Sequence, residues 1–161
     1  MRHVPDRERR ARLATRHALT ADSHVRTPDA AARAVVALHA TDAPTVYLSA
    51  WARTVQVTTA DMDRALYDDR ALIKQLAMRR TLFVFPRDLI PFVLPSAAAR
   101  VAASEHTRMA RDVERAGVAS SGKAWIDEAR DGVTAALSKS SGALSAAELP
   151  ARSKFSPRLT I

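Results

Sequence analysis

The sequence predicts a mainly α-helical chain with one small β-hairpin, and three observations carry that prediction. Apolar side chains recur at three- and four-residue spacing through most of the chain, the mark of one-sided helices. Helix starts are punctuated by Thr27-Pro28-Asp29, by Pro44, and by Thr58 with Asp61 three positions on. One short apolar run, Leu82-Phe83-Val84-Phe85, has instead the aromatic and β-branched content of a strand.

Residues 5–20 read as a highly charged helix whose apolar stripe is limited to Leu13, Ala14, Ala18 and Leu19, followed by a polar connector over 21–26. A helix then opens with Thr27 as N-cap, Pro28 in the first turn and Asp29 beside the positive helix end. Ala31, Val35 and Leu38 share a face, and the helix is expected to run to about Asp42, since Pro44 disfavours a helical residue before it. A second helix follows over about 44–53, with Tyr47, Leu48 and Trp51 directed to the core, and Val55 to Val57 reads as a short strand. Thr58 and Asp61 form a capping-box start for a third helix to about Tyr67, with Met62 and Leu66 inward and Arg64 among acidic residues outward. Asp68-Asp69-Arg70 is a turn; over 71–78, Leu72, Ile73 and Leu76 fit a helix period while the position before Thr81–Phe85 suggests extended chain, read as a strand over 74–78 with a second strand over 81–85. Three short helices followed by extended chain with adjacent arginines is the order of a winged helix-turn-helix.

Beyond Pro86, Asp88 caps a short helix that Pro95 stops or kinks. Helices are expected over 97–116, closed by Gly117, and over 123–138, packed as a pair. Ser145 and Glu148 announce one more helix, which Pro150 cuts off. The organisation read from this is a basic N-terminal helix and connector over 1–26, a winged-helix module over 27–86, a helical extension over 87–142 opening a second module, and an irregular tail over 143–161.

Composition narrows the functional classes. The chain has 161 residues, room for one domain or two small modules, and its 47% hydrophobic content is largely alanine with only 5% aromatics, so its core is thin. No run of about 18 apolar residues is present, so no membrane span is expected. A charged N-terminus and the absence of cysteine fit the cytoplasm. The net charge is +8, and of the 25 basic residues only Lys74, Lys123, Lys139 and Lys154 are lysine. Positive potential attracts polyanions, and the arginine fork suits phosphate; a coding bias toward arginine and alanine accounts for the excess equally well. His3, His17, His24, His39 and His106 are scattered without metal-binding spacing, no glycine-rich phosphate loop exists and no nucleophile motif is present. Neither metal nor cofactor is expected.

The stretches Leu38–Thr45, Tyr47-Leu48-Ser49 with Trp51-Ala52-Arg53, the helix Asp61–Arg70 and Met78-Arg79-Arg80-Thr81-Leu82 together resemble the winged-helix DNA-binding family that includes the AlkZ-like and YcaQ-like DNA glycosylases. The resemblance runs from about Arg7 to Gly142. It implies tandem winged-helix modules around double-stranded DNA in proteins about twice as long, so that this chain corresponds to a truncated form with the first module and the opening of the second. It also implies DNA contacts at Arg53, Arg64, Arg79, Arg80 and Thr81.

The family's glycosylases carry a Gln-x-Gln or Gln-x-Asp pair, and those two positions fall here on His39 and Thr41, with Asp42 one residue further. Hydrolysis of an N-glycosidic bond passes through a sugar with oxocarbenium character, which calls for a polar or anionic group and a positioned water. His39 accepts a proton when neutral; Thr41 neither stabilises a cation well nor activates water. A second departure is Arg80, where many relatives have glycine. The sequence therefore reads as a short, catalytically inactive relative of DNA-repair glycosylases. Two other readings stand beside it: an active glycosylase on alkylated or crosslinked bases using His39 and Asp42, and a winged-helix module that packs a protein partner. Each marked residue also has an ordinary structural role: His39 at a helix end, Thr41 as a cap, Tyr47 and Trp51 as core, and Arg64, Arg79 and Arg80 as solvated charges.

Overall fold

The computed structural model describes residues 3–142 and 144–149, which fall into two compact units divided between Val101 and Ala102. The first unit contains α1 (Asp6–Arg16), α2 (Pro28–Ala34), β1 (Leu38–His39), α3 (Ala43–Trp51), α4 (Thr59–Asp63), β2 (Leu72–Leu76), β3 (Leu82–Pro86) and α5 (Ile90–Val93). α4 continues through a wider π-type turn over Arg64–Asp68, which completes the expected third helix. The chain is mainly α with a small sheet, as its periodicity predicts.

The sheet has three antiparallel strands rather than two, in the order β1-β3-β2. β2 and β3 form the hairpin, with Leu72 opposite Pro86 and Leu76 opposite Leu82. β1 adds to the other edge of β3, pairing Leu38 with Val84 and His39 with Phe83. This strand replaces the last third of the helix expected to reach Asp42. α2 stops at Ala34, and Val36 takes a left-handed φ of 71°. That conformation is costly for a β-branched residue and ends the helix outright. Leu38 then gains more by burial against Val84 in a strand ladder than helix propensity offers.

Capping chemistry places the helices. The Thr27 hydroxyl accepts the Ala30 N–H at 3.1 Å. At α4, the Thr58 hydroxyl accepts the Asp61 N–H at 3.2 Å while the Asp61 carboxylate accepts the Thr58 N–H at 3.0 Å, closing the expected capping box. Val55 to Val57 is not a strand. Thr54 makes a single parallel bridge to Val25, and Gln56 turns the chain with a φ of 62°.

The core lies between α2, α3, α4 and the inner face of the sheet: Ala31, Ala32, Leu38, Val46, Ala50, Met62, Leu66, Leu72 and Val84. Its many alanines let the helices approach closely, and each fully buried leucine or valine contributes roughly 1.5–3 kcal/mol. Trp51 lies outside this core. It is 66% exposed, and with Tyr47, Leu48, Val57 and Met62 it lines an apolar hollow of about 460 Å³. Helical spacing put Trp51 on the same side as Tyr47, but the face of α3 that enters the core is that of Val46 and Ala50.

α6 (Ala99–Arg115), which enters the second unit at Ala102, and α7 (Gly122–Lys139) correspond to the expected helical pair. Gly117 closes α6 with a φ of 68°, the Val118 N–H reaching the Val113 carbonyl at 3.1 Å and the Gly117 N–H the Glu114 carbonyl at 3.0 Å. Gly122 starts α7 so close to α6 that a β-carbon there would lie 1.9 Å from the Ala110 carbonyl oxygen. Pro95 does not stop the preceding helix; a π-type turn over Leu94–Ala98 accommodates it. Ser145 and Glu148 make the expected capping contact, at 2.8 Å from the Ser145 N–H, and Pro150 with the tail beyond lies outside the described residues.

Candidate nucleic-acid interface

The two stretches that stood out in the sequence meet on β3. The ladder of β1 extends past His39 through the Ala40 N–H, which donates to the Leu82 carbonyl at 2.8 Å. This carries the Leu38–Thr41 segment toward Thr81, the residue that leaves the hairpin tip and enters β3. Leu38 and Ala40 are buried while His39 and Thr41 are exposed. An extended chain alternates faces with period two, so residues two apart stand side by side. His39 thus lies in a strand rather than at a helix end, and the reading of His39 at a negative helix terminus falls.

His39 lies edge-on to Phe83, with ring centroids 5.4 Å apart. The Thr41 hydroxyl has no partner among the described residues. Asp42 precedes α3, and its carboxylate accepts the Thr45 hydroxyl at 2.8 Å, making it part of that helix start. The arrangement offers an exposed imidazole in β1 and an exposed hydroxyl in the bend that follows it, with the Asp42 carboxylate directed to its own helix.

The hairpin tip is built from Ala77 to Thr81. The Ala77 N–H donates to the Thr81 carbonyl at 3.0 Å, the Arg80 N–H to the Ala77 carbonyl at 3.1 Å and the Thr81 hydroxyl to the Met78 carbonyl at 2.9 Å. Within this turn Arg79 and Arg80 both take left-handed backbone conformations, with φ of 54° and 59°. Each such residue costs roughly 1–2 kcal/mol for a side chain with a β-carbon. Both arginines are exposed at the end of the hairpin.

The remaining basic positions differ. Arg64 is exposed on the α4 turn, 3.7 Å from Asp61. Arg53 is half-buried: one terminal nitrogen donates to the Ser49 carbonyl at 2.7 Å, its Nε is enclosed without a partner, and burial lowers its pKa. It secures the end of α3. The acidic side chains of α4 are engaged within the fold. The Thr58 hydroxyl and N–H hold Asp61 below the usual carboxylate range, and Asp63 accepts the Tyr47 hydroxyl at 2.6 Å, pushing that phenol up to about 12. The Tyr47–Asp63 bond has no signature in the sequence, since it spans 16 positions and joins two helices. Among the described residues no group of three or more histidine, aspartate or glutamate side chains is placed to hold a metal ion. No helix among them is long and apolar enough to cross a membrane.

A helical domain with a basic hairpin set against a motif-bearing strand is the class of protein that these elements define. The family model for AlkZ-like DNA glycosylases matches residues 32–156, and the chain belongs to this family. It is thus related to DNA-repair glycosylases. No curated protein and no solved structure matches it.

Proposed function

We propose that this chain binds duplex DNA as a winged-helix module, with the β2–β3 hairpin as the wing, and that it does not excise bases. The observation that carries the proposal is the meeting of the two motif stretches on β3, which brings the tip with exposed Arg79 and Arg80 and half-buried Thr81 next to the segment of His39 and Thr41. The element order α2-β1-α3-α4-β2-β3 supports the winged-helix assignment. In this reading Arg79 and Arg80 neutralise phosphates, Thr81 sits at the base of the wing, and Arg64 is a secondary contact limited by the acidic α4 turn.

Loss of catalysis follows from the chemistry at the aligned positions. Base excision requires groups held to fractions of an ångström around the sugar. Thr41 supplies neither a charge nor a base, and Asp42 is committed to Thr45. The test combines two assays on the full chain. Affinity for a duplex is measured against salt concentration, and replacing Arg79 and Arg80 by alanine is expected to reduce the slope of log affinity against log salt by about 1.8, at about 0.9 per phosphate contact. Base release from alkylated or crosslinked duplex is expected at the uncatalysed rate; release that disappears with His39→Ala would overturn the inactive reading. An interaction module for a protein partner is the second reading, favoured by exposed Trp51 over its apolar hollow. It predicts no salt-dependent binding to duplex.

A further inference from the structure

We infer that α6 carries a second phosphate-contacting surface for nucleic acid, formed by Arg108, Arg111 and Arg115 with the hydroxyl of Ser104. This rests on the reading of the chain as a DNA-binding protein but concerns a different unit from the wing.

The helix pair fixes which way this surface points. The Glu114 carboxylate accepts the Gly122 N–H at 2.9 Å, the Ala110 carbonyl lies against Gly122, and His106 Nε2 is 3.1 Å from the Asp127 carboxylate on α7. Positions 106, 110 and 114 therefore face α7. At 3.6 residues per turn, 108, 111 and 115 fall on one face that is turned away from that seam. All three arginines are exposed, and they line an open polar hollow of about 590 Å³ together with Ser104, Thr107 and Asp112.

Two of these arginines have local carboxylates: Arg108 meets Glu105 at 2.6 Å and Arg115 meets Asp112 at 3.1 Å. Arg111, between them, has no acceptor among the described residues. Exposed pairs of this kind are weak and screened by salt, so a phosphate strand can displace them. From Arg108 to Arg115 the helix rises about 10 Å. At about 3.4 Å of axial rise per phosphate on one strand, that length matches about three successive phosphates. The same stripe would attract an anionic membrane, but a helix binds lipid by inserting its opposite, apolar face. Here the side of α6 toward α7 carries His106, Ala110 and Glu114, whereas a polyanion needs only the charged side.

The test uses the full chain and the same salt titration with duplex, leaving Arg79 and Arg80 intact. Arg111→Gln is expected to lower the salt slope by about 0.9, and joint replacement of Arg108, Arg111 and Arg115 by Gln by about 2.7. Arg111→Lys retains the charge and is expected to keep the slope. Far-ultraviolet circular dichroism checks that the helices remain; if the triple variant loses them, the two single variants decide. Unchanged slopes for Arg111→Gln and the folded triple variant, in a chain whose slope still falls with the Arg79 and Arg80 replacements, would overturn the α6 surface and leave the wing reading standing. No binding to duplex at all would overturn both. Binding to phosphatidylserine vesicles that is lost with Arg111→Gln, with no effect on duplex, would assign the stripe to membranes instead.

Discussion

The strand segment Leu38–Thr41 and the hairpin tip Ala77–Thr81 adjoin the same strand, yet they are constrained in opposite ways. The strand segment is held by its buried residues and leaves its exposed positions open. Leu38 and Ala40 anchor it, His39 and Thr41 occupy the exposed positions, and the alternation holds without glutamine at either. The tip strains its backbone instead, carrying two guanidiniums at the cost of two left-handed arginines. Register in a sheet comes from the buried residues, so exposed side chains can change freely. In a tight turn the backbone conformation constrains the residue itself, and every substitution is felt in the fold.

The largest effect expected from this contrast is on the buried side of the strand segment. Leu38→Ala leaves a cavity beneath β1 and is expected to destabilise the chain by about 2–5 kcal/mol, measured by urea unfolding. His39→Ala and Thr41→Ala, on the outer face of the same few residues, should change stability by less than about 0.5 kcal/mol. A large loss from either would mean that the exposed pair takes part in holding the register.

Next comes the restart of the helical region after Gln56. Thr58→Ala removes the hydroxyl that caps α4 and is expected to cost about 1 kcal/mol in the same measurement. Asp61 shares that capping box, and its carboxyl is held below the usual range mainly by the Thr58 hydroxyl and N–H. A depressed folded pKa gives stability that is present above the unfolded value and is lost as pH falls through the folded one. Acid unfolding of the Thr58→Ala variant should therefore be less steep than that of the parent over this range.

At the tip, Arg80→Gly exchanges strain for charge. It is expected to raise stability by about 0.5–1 kcal/mol, since glycine adopts the left-handed conformation without steric cost. It should also lower the salt slope for duplex by about 0.9. A glycine variant that is less stable would show that contacts of the Arg80 side chain outweigh its backbone strain.

The smallest effect reads the link between α3 and α4 that supports both segments. Tyr47 is pushed up to about 12 mainly by its hydrogen bond to Asp63, with burial adding to it. Because the folded pKa is raised, this contribution is full below about pH 10, the ordinary phenol value, and is lost as pH rises toward 12. Ultraviolet titration should show one phenol ionising late, and Asp63→Asn should bring it earlier. An unshifted titration curve in that variant would remove Asp63 as the cause.

Helix starts were readable because they are local. Thr27-Pro28 and Thr58 with Asp61 declare themselves within four residues, and the hairpin strands follow from Leu82–Phe85. β1 was not readable. Residues Ala30 to Ala34 are good helix formers, and nothing local says that Val36 will adopt a left-handed conformation or that Leu38 will pair with a strand more than forty residues away. Trp51 was misread for a related reason: spacing identifies a common face, and only tertiary packing decides that Val46 and Ala50, rather than Trp51, face inward. At the candidate site, the identities of His39, Thr41, Arg79 and Arg80 came from the sequence, whereas their meeting on β3 required the sheet.

The ladder between β1 and β3 has one more consequence. Its outer edge acts as a two-place socket, since whatever side chains occupy positions 39 and 41 arrive as neighbours at a fixed separation beside the wing. Chemistry can be exchanged there without renegotiating the scaffold, because the buried neighbours and not the exposed side chains hold the register. For protein engineers this makes the edge a place to graft paired functional groups, with their alignment already supplied by Leu38 and Ala40 underneath.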